Sequence, residues 1–295
     1  MRVAARPTER FFYGWVIVLV GAVLTFLGTG FYSYSRGVFL PSLAEELAGG
    51  SRFEIAMGFS IAAVTSALVA PFIGGILDKY SPKTVILVGI GFVTGSYLLL
   101  SFCQNLIQFY LIVGLGMGLG MTCMGNLAWH RTIISWFDHW RGRAISLGVL
   151  GASLAGVVMP PLVTSLVEAI GWRSAFVVFA IIVPSILIPL VVYFLKNRPE
   201  EIGEVRDGLV YSEAHKTTEV EDQAESRIWH WKEMIRFPAF WSIGLMFGAM
   251  GCVYSAVMLH LFGHLTDIGL PGSEAAYILS ATALFAALGK PVVGW

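Results

Sequence analysis

Charge is what this chain has least of. Asp, Glu, Lys and Arg together supply 13% of its 295 residues, about half of the ~25% usual in soluble proteins. A soluble domain of this length must clothe its surface in charge, so a soluble fold is excluded. Cysteine is also scarce: Cys103, Cys123 and Cys252 lie in or at the ends of apolar segments, without metal-ligand spacing. That argues against a disulfide framework and a zinc site. Basic runs interleaved with aromatics are missing and the formal net charge is zero, so nucleic acid is not an expected partner. No His-Glu-x-x-His occurs, and Gly151-Ala152-Ser153-Leu154 departs from the motif of an intramembrane serine protease. Gly114, Gly116, Gly118 and Gly120 have the wrong spacing for a dinucleotide fingerprint, and no strand precedes them. The sequence therefore predicts no cofactor, no metal and no catalytic residue.

Apolar residues are what it has in excess: 56% of the chain, with a mean hydropathy of +0.74. Crossing a ~30 Å hydrocarbon core takes ~20 mostly apolar residues. Eight segments qualify, at 13–35, 55–77, 84–102, 106–131, 144–167, 174–195, 239–262 and 274–295. They are numbered here as spans 1 to 8 and predict an all-α polytopic membrane protein. Charge is concentrated between spans 6 and 7, where residues 196–236 hold 17 charged side chains. This stretch reads as a linker, with an interfacial helix near Trp229–Met234. The expected layout is a terminus at 1–12, a six-helix bundle at 13–195, the linker at 196–238 and the start of a second bundle at 239–295. Fifteen of the nineteen Lys and Arg fall in the terminus and in the connections on its side, and three in the connections opposite. Cytoplasmic loops retain basic residues, so the N-terminus and the linker are expected in the cytoplasm, with the chain in the cell membrane.

A shift of 220 residues lays Ser60–Gly74 of span 2 over Ser280–Gly294 of span 8. Six of fifteen positions are identical, including Pro71 with Pro291 and Gly74 with Gly294. Repeats of six spans joined by a linker are a transporter architecture. After Gly74 comes Gly75-Ile76-Leu77-Asp78-Lys79-Tyr80-Ser81-Pro82-Lys83. This stretch resembles the signature loop between spans 2 and 3 of the major facilitator superfamily, with Ser81 where that family usually has glycine. Ser135–Ala144, which contains Asp138, Arg141 and Arg143, is similar to its span 4–5 loop. Together with Phe12-Tyr13-Gly14-Trp15, it is most like the branch of monocarboxylate porters and oxalate/formate antiporters. The resemblance implies the major facilitator fold: a complete N-terminal six-helix bundle plus the first two helices of a C-terminal bundle. Family members have twelve spans, so the chain is expected to be a C-terminally truncated fragment. The resemblance also implies a monomeric transporter with lipid around it, carrying a small, anionic solute with proton coupling. It gives Gly74, Asp78, Lys79, Lys83, Asp138, Arg141 and Arg143 a gating role. Drug or metabolite efflux is the alternative, weakened by Gly148, Gly151, Gly156, Pro160 and Pro161 not fitting the usual span 5 motif of drug antiporters.

Polar groups inside spans are costly and face a cavity or another helix. In span 1, Thr25, Thr29, Tyr32 and Arg36 share one helical face by spacing. Arg36 reads either as a carboxylate partner or as an anchor at the membrane interface. Asn126 and His130 of span 4 and Tyr254 and His260 of span 7 are the further solute-contact candidates, His130 reading first as a structural histidine and second as a proton shuttle. The face carrying Thr29, Tyr32 and Arg36 is expected to line a central cavity open to one membrane side. Asp78 ends a helix, where the dipole disfavours a carboxylate, so a basic partner from 131–143 is expected. Asp138 is expected near Lys79 or Lys83.

Overall fold

The structure, a computed structural model, describes residues 12–208, 233 and 235–294, with the side chains of Thr29 and of 290–294 outside the description. The Lys290 side chain and most of the helix expected at 229–234 thus lie outside the described residues. Among the described residues the chain is helix and connection without a strand. Span 1 is α1 (Gly14–Thr29), a π-helical stretch at Gly30–Tyr34, then α2 (Arg36–Leu47). Span 2 is α3 (Arg52–Lys79) and span 3 is α4 (Pro82–Ser101). Span 4 comprises α5 (Leu106–Phe109), a second π stretch at Tyr110–Met117, α6 (Gly118–Met124) and α7 (Asn126–Trp136). A long α8 (Arg141–Pro189) follows, then α9 (Pro238–Asp267) and α10 (Gly272–Gly294).

Seven of the described helices are long and apolar enough to cross a membrane. One of them, Arg141–Phe194, has 54 residues; at ~1.5 Å per residue it would reach ~80 Å if straight, far beyond the ~30 Å core. Gly171 divides it, at φ 75° and ψ 162°, a conformation glycine tolerates and a side chain resists. Spans 5 and 6 are therefore the two arms of α8, which gives eight crossings among the described residues. It is an all-α, multi-pass membrane protein.

The small residues of span 4 explain its central place. Gly114 and Gly118 approach Ile61, the Ala62 carbonyl and Thr65 of span 2 so closely that a Cβ would collide. Gly116 and Gly120, half a turn away, do the same against Ser96, Phe92 and Val93 of span 3. Two interleaved pairs at four-residue spacing thus let one helix press against two neighbours. Within the first bundle, α1 packs on α8 in the same way. Gly151 leaves room for the Ala22 carbonyl oxygen, and Thr25 Oγ1 donates to the Gly148 carbonyl at 2.8 Å. Phe31, Phe39, Tyr97, Phe176 and Phe179 form an aromatic knot joining spans 1, 3 and 6.

Two ends follow from this topology. At the end marked by Asp78, Ser81 caps α4 by accepting from the Thr84 N–H at 3.2 Å, with Pro82 in the first turn. A Ser cap is worth ~1 kcal/mol over Ala, which gives the serine at this signature position a structural use. At the opposite end, marked by Arg52, Glu46 accepts from Trp172 Nε1 at 2.7 Å and pairs with Arg173. The Arg173 guanidinium also reaches the Cys103 carbonyl at 2.7 Å, so one arginine ties the outer turns of spans 1, 3 and 6.

Candidate functional site

Arg36 opens α2 and is only 8% exposed. One of its terminal nitrogens, Nη2, donates to Ser255 Oγ at 2.8 Å and to the Ser255 carbonyl at 3.3 Å. Its carbon Cζ stands 5.8 Å from the Tyr32 ring centre. No carboxylate is paired with it among the described contacts, and Nε is buried without a hydrogen-bond partner. Tyr97, 3% exposed, likewise has a buried hydroxyl with no partner. Arg36, Tyr32 and Tyr97 line one small cavity of about 20 Å³ with Phe31, Phe59 and Phe109, room for about one water. A buried cation that lacks an acid and two orphaned donors in an aromatic enclosure form a seat suited to an anion or to the carbonyl oxygen of a small solute.

Thr29 has its side chain outside the described residues, so the expected face is represented by Tyr32 and Arg36. Along the face expected to line a central cavity open to one membrane side, the described residues form a small, partly open cavity. Tyr32 and Arg36 line a small enclosure within the first bundle, because Arg36 reaches across to Ser255 and the aromatic rings fill the space. Tyr254 is nearby: its hydroxyl donates to Tyr34 Oη at 2.9 Å. His260, on the same helix, is exposed. Asn126 is exposed at the break between α6 and α7, where Gly125 is extended. His130 sits apart from Arg36, beside a larger cavity at the Asp78 end, with Nε2 buried and unpartnered. The structure therefore gathers Tyr32, Arg36 and Tyr254 and leaves Asn126, His130 and His260 elsewhere.

Sequence reasoning missed Tyr34, Tyr97, Arg52 and Asp267. Tyr34 had a signal, since the 220-residue shift lays Tyr34-Ser35 on Tyr254-Ser255. Its orientation did not, because the π-helical stretch before Arg36 breaks the 3.6-residue phase. Arg52 and Asp267 lie 215 residues apart and meet through two contacts, at 2.5 and 2.8 Å.

At the Asp78 end, Arg131 Nη1 is 2.7 Å from Asp78 Oδ1, the partner the helix-end argument requires. Asp138 departs from expectation. It pairs with Arg141 three residues on, at 3.2 Å. Lys83 instead turns to the end of span 6, Nζ donating to the Val192 carbonyl at 2.5 Å, while its N–H donates to Asn197 Oδ1. The reason is the linker: Asp207 accepts from the N–H groups of Asp138 and His139 at 3.0 and 2.7 Å and fixes that turn. Lys79 and Gly74 line the cavity beside Asp78, and Arg143 Cζ stacks 4.4 Å over the Trp140 ring.

Long apolar helices and glycine-mediated packing, with a buried arginine between spans 1 and 7, define a polytopic membrane protein. Comparison with known proteins gives the family. The model of the Major Facilitator Superfamily matches residues 22–295, and the chain belongs to that family. It is similar to Uncharacterized MFS-type transporter YcxA of Bacillus subtilis, 25% identical over 64% of this chain and 46% of the relative. It is 25% identical to Monocarboxylate transporter 13 of Bos taurus, over 96% of this chain and 61% of the relative. With the Probable L-galactonate transporter of Escherichia coli it shares 24% identity over 95% of this chain and 60% of the relative. The chain thus spans about half to three fifths of the length of these relatives. Their names are those of transporters, not enzymes.

Proposed function

We propose that the protein is a secondary transporter of a small organic anion, of the monocarboxylate kind, working by alternating access. Its N-terminus and Asp78 end face the cytoplasm, and it resides in the cell membrane. The observation that carries the reading is Arg36: a buried guanidinium between spans 1 and 7 whose hydrogen bonds, among the described residues, go to Ser255 oxygens, with Nε left without one. A charge buried in protein without an acid beside it is costly to desolvate, and no acid pairs with Arg36 among the described residues. A carboxylate would neutralise it, with the Tyr32 and Tyr97 hydroxyls as further donors. Two relatives support the substrate class by name, one a monocarboxylate transporter and one a probable L-galactonate transporter, and both names denote organic anions. The basic bias of the terminus and linker supports the orientation.

The test is uptake of radiolabelled lactate and pyruvate by the full-length protein. Arg36→Gln is expected to lower uptake at least about tenfold, as loss of one charge-assisted hydrogen bond does. Arg36→Lys keeps the charge, loses the two-pronged geometry and is expected to fall between. Wild-type rate and affinity in the glutamine variant would overturn the assignment.

A further inference from the structure

Tyr34 and Tyr254 are separated by 220 residues, the offset that superposes span 2 on span 8, and their hydroxyls are in contact at 2.9 Å. Equivalent residues of two repeats touch each other only where the axis relating the repeats passes between them. The pair therefore marks that axis. At it the repeats share only the pair Tyr34-Ser35 over Tyr254-Ser255; positions 29–33 differ from 249–253, and at position 36 span 1 has arginine where span 7 has Ala256. The arginine is thus an asymmetric insertion into a symmetric contact, and it takes the serine of the other repeat as its partner.

The edge of the guanidinium matters. A carboxylate binds arginine side-on through Nε and Nη2 together. In this structure Nη2 is occupied by both oxygens of Ser255, while Nε is buried and unpartnered. A carboxylate can use the Nε–Nη2 edge only if Ser255 lets go. Just beyond, Gly37 packs against the carbonyls of Met258 and Leu259, and Arg52 pairs with Asp267, so the Ser255 contact stands next to the tyrosine pair at the inner limit of a row that closes the Arg52 end.

We infer that Ser255 is a positioning residue that competes with the anion for Arg36, so that arrival of the anion and release of span 7 from span 1 are one event. Without solute, Ser255 satisfies the guanidinium and holds the Arg52 end shut. With solute, the carboxylate takes Nη2 and the one charged bond at the inner limit of the seal is gone. A solute lacking a carboxylate does not displace Ser255 and does not loosen the seal. This rests on the anion reading of Arg36 and adds how binding is tied to opening.

The experiment has two arms in the full-length protein. In the first, without any solute, Leu259→Cys in a Cys252→Ser background reports the seal, because Leu259 is buried against Gly37 at the Arg52 end. Its reaction with a membrane-impermeant maleimide is expected to quicken about three- to tenfold when Ser255→Ala is added, and to stay at the parent rate with Ser255→Thr. Tyr254→Phe, which removes the other bridging hydroxyl, is the second variant and is expected to quicken labelling too. In the second arm, lactate uptake, Ser255→Ala is expected to lower KM, since a competitor for Arg36 is removed, and Ser255→Thr to restore it. Parent labelling rates in both Ser255→Ala and Tyr254→Phe, or a raised KM in Ser255→Ala, would overturn the inference. The anion reading fails by a different result, normal uptake in Arg36→Gln, so the two failures are told apart.

Discussion

The two ends of this molecule are held by different kinds of contact. At the Arg52 end, contacts run between the repeats: Tyr34 to Tyr254, Arg36 to Ser255, Gly37 to the α9 backbone, and Arg52 to Asp267. At the Asp78 end, the ties join parts of the first bundle and the linker that leaves it. Asp78 meets Arg131, Trp136 Nε1 donates to the Lys196 carbonyl, Ser135 to the Asn197 carbonyl, and Asp207 receives the turn at 138–139. The Tyr13 N–H reaches Glu204 at 3.1 Å. Burial along α9 follows the same division: Met258, Leu259, Phe262 and Leu265 are buried, whereas residues 238–254 are exposed. Contacts within a bundle stabilise the fold whatever the transport state. Contacts between repeats stabilise one state at the expense of another, and that is the kind of bond an alternating mechanism must be able to break.

Substitutions that fall on either side of this division are expected to act differently. Gly151→Val, inside the bundle, is expected to have the largest effect. The added atoms collide with the Ala22 backbone and Thr25, which cannot swing away as a flexible side chain can. Overpacking of this kind costs about 1–3 kcal/mol or more, and is checked as a lowered Tm and yield of the purified protein. Gly37→Ala comes next. Its Cβ would lie 2.8 Å from the Met258 carbonyl oxygen, a clash between repeats that opening relieves. The expected outcome is a nearly unchanged Tm with faster maleimide labelling of the Leu259→Cys site; a large fall in Tm without faster labelling would place Gly37 with the fold-holding contacts. Asp78→Asn is the smallest of the three in stability. The ion pair with Arg131 is exposed, its side chains 66% and 49% accessible, and such pairs are worth about 0–1 kcal/mol and weaken with salt. A Tm change of a few degrees at low salt that vanishes at high salt is expected.

Much of this was legible in the residues. Composition and run length gave eight crossings, and the structure places them at those segments, joining spans 5 and 6 into one helix divided at Gly171. The interleaved glycines of span 4 were readable as close-contact positions, though not the two helices they would meet. The helix-end argument required a base for Asp78, and Arg131 supplies it. Asp138 was less tractable, because its turn is set by Asp207 from a linker almost seventy residues away. Distant loops carry no periodic signal of where they dock. Tyr97 was hidden for a different reason: a tyrosine in an apolar span looks the same whether its hydroxyl faces lipid headgroups or the protein interior.

The sequence by itself determined the solvent this protein lives in, the number of crossings, the repeat and its 220-residue offset, because each depends on composition or on self-comparison along the chain. Only the tertiary structure decided what Arg36 does. Whether a guanidinium at the end of an apolar run reaches water or reaches a neighbouring helix depends on the phase of the π-helical stretch before it and on which helix stands opposite. Neither quantity is local. The answer, a serine of the other repeat and a buried Nε left without a partner, came from packing two repeats face to face, where a side chain's partner is set by the axis between them and not by its neighbours in sequence.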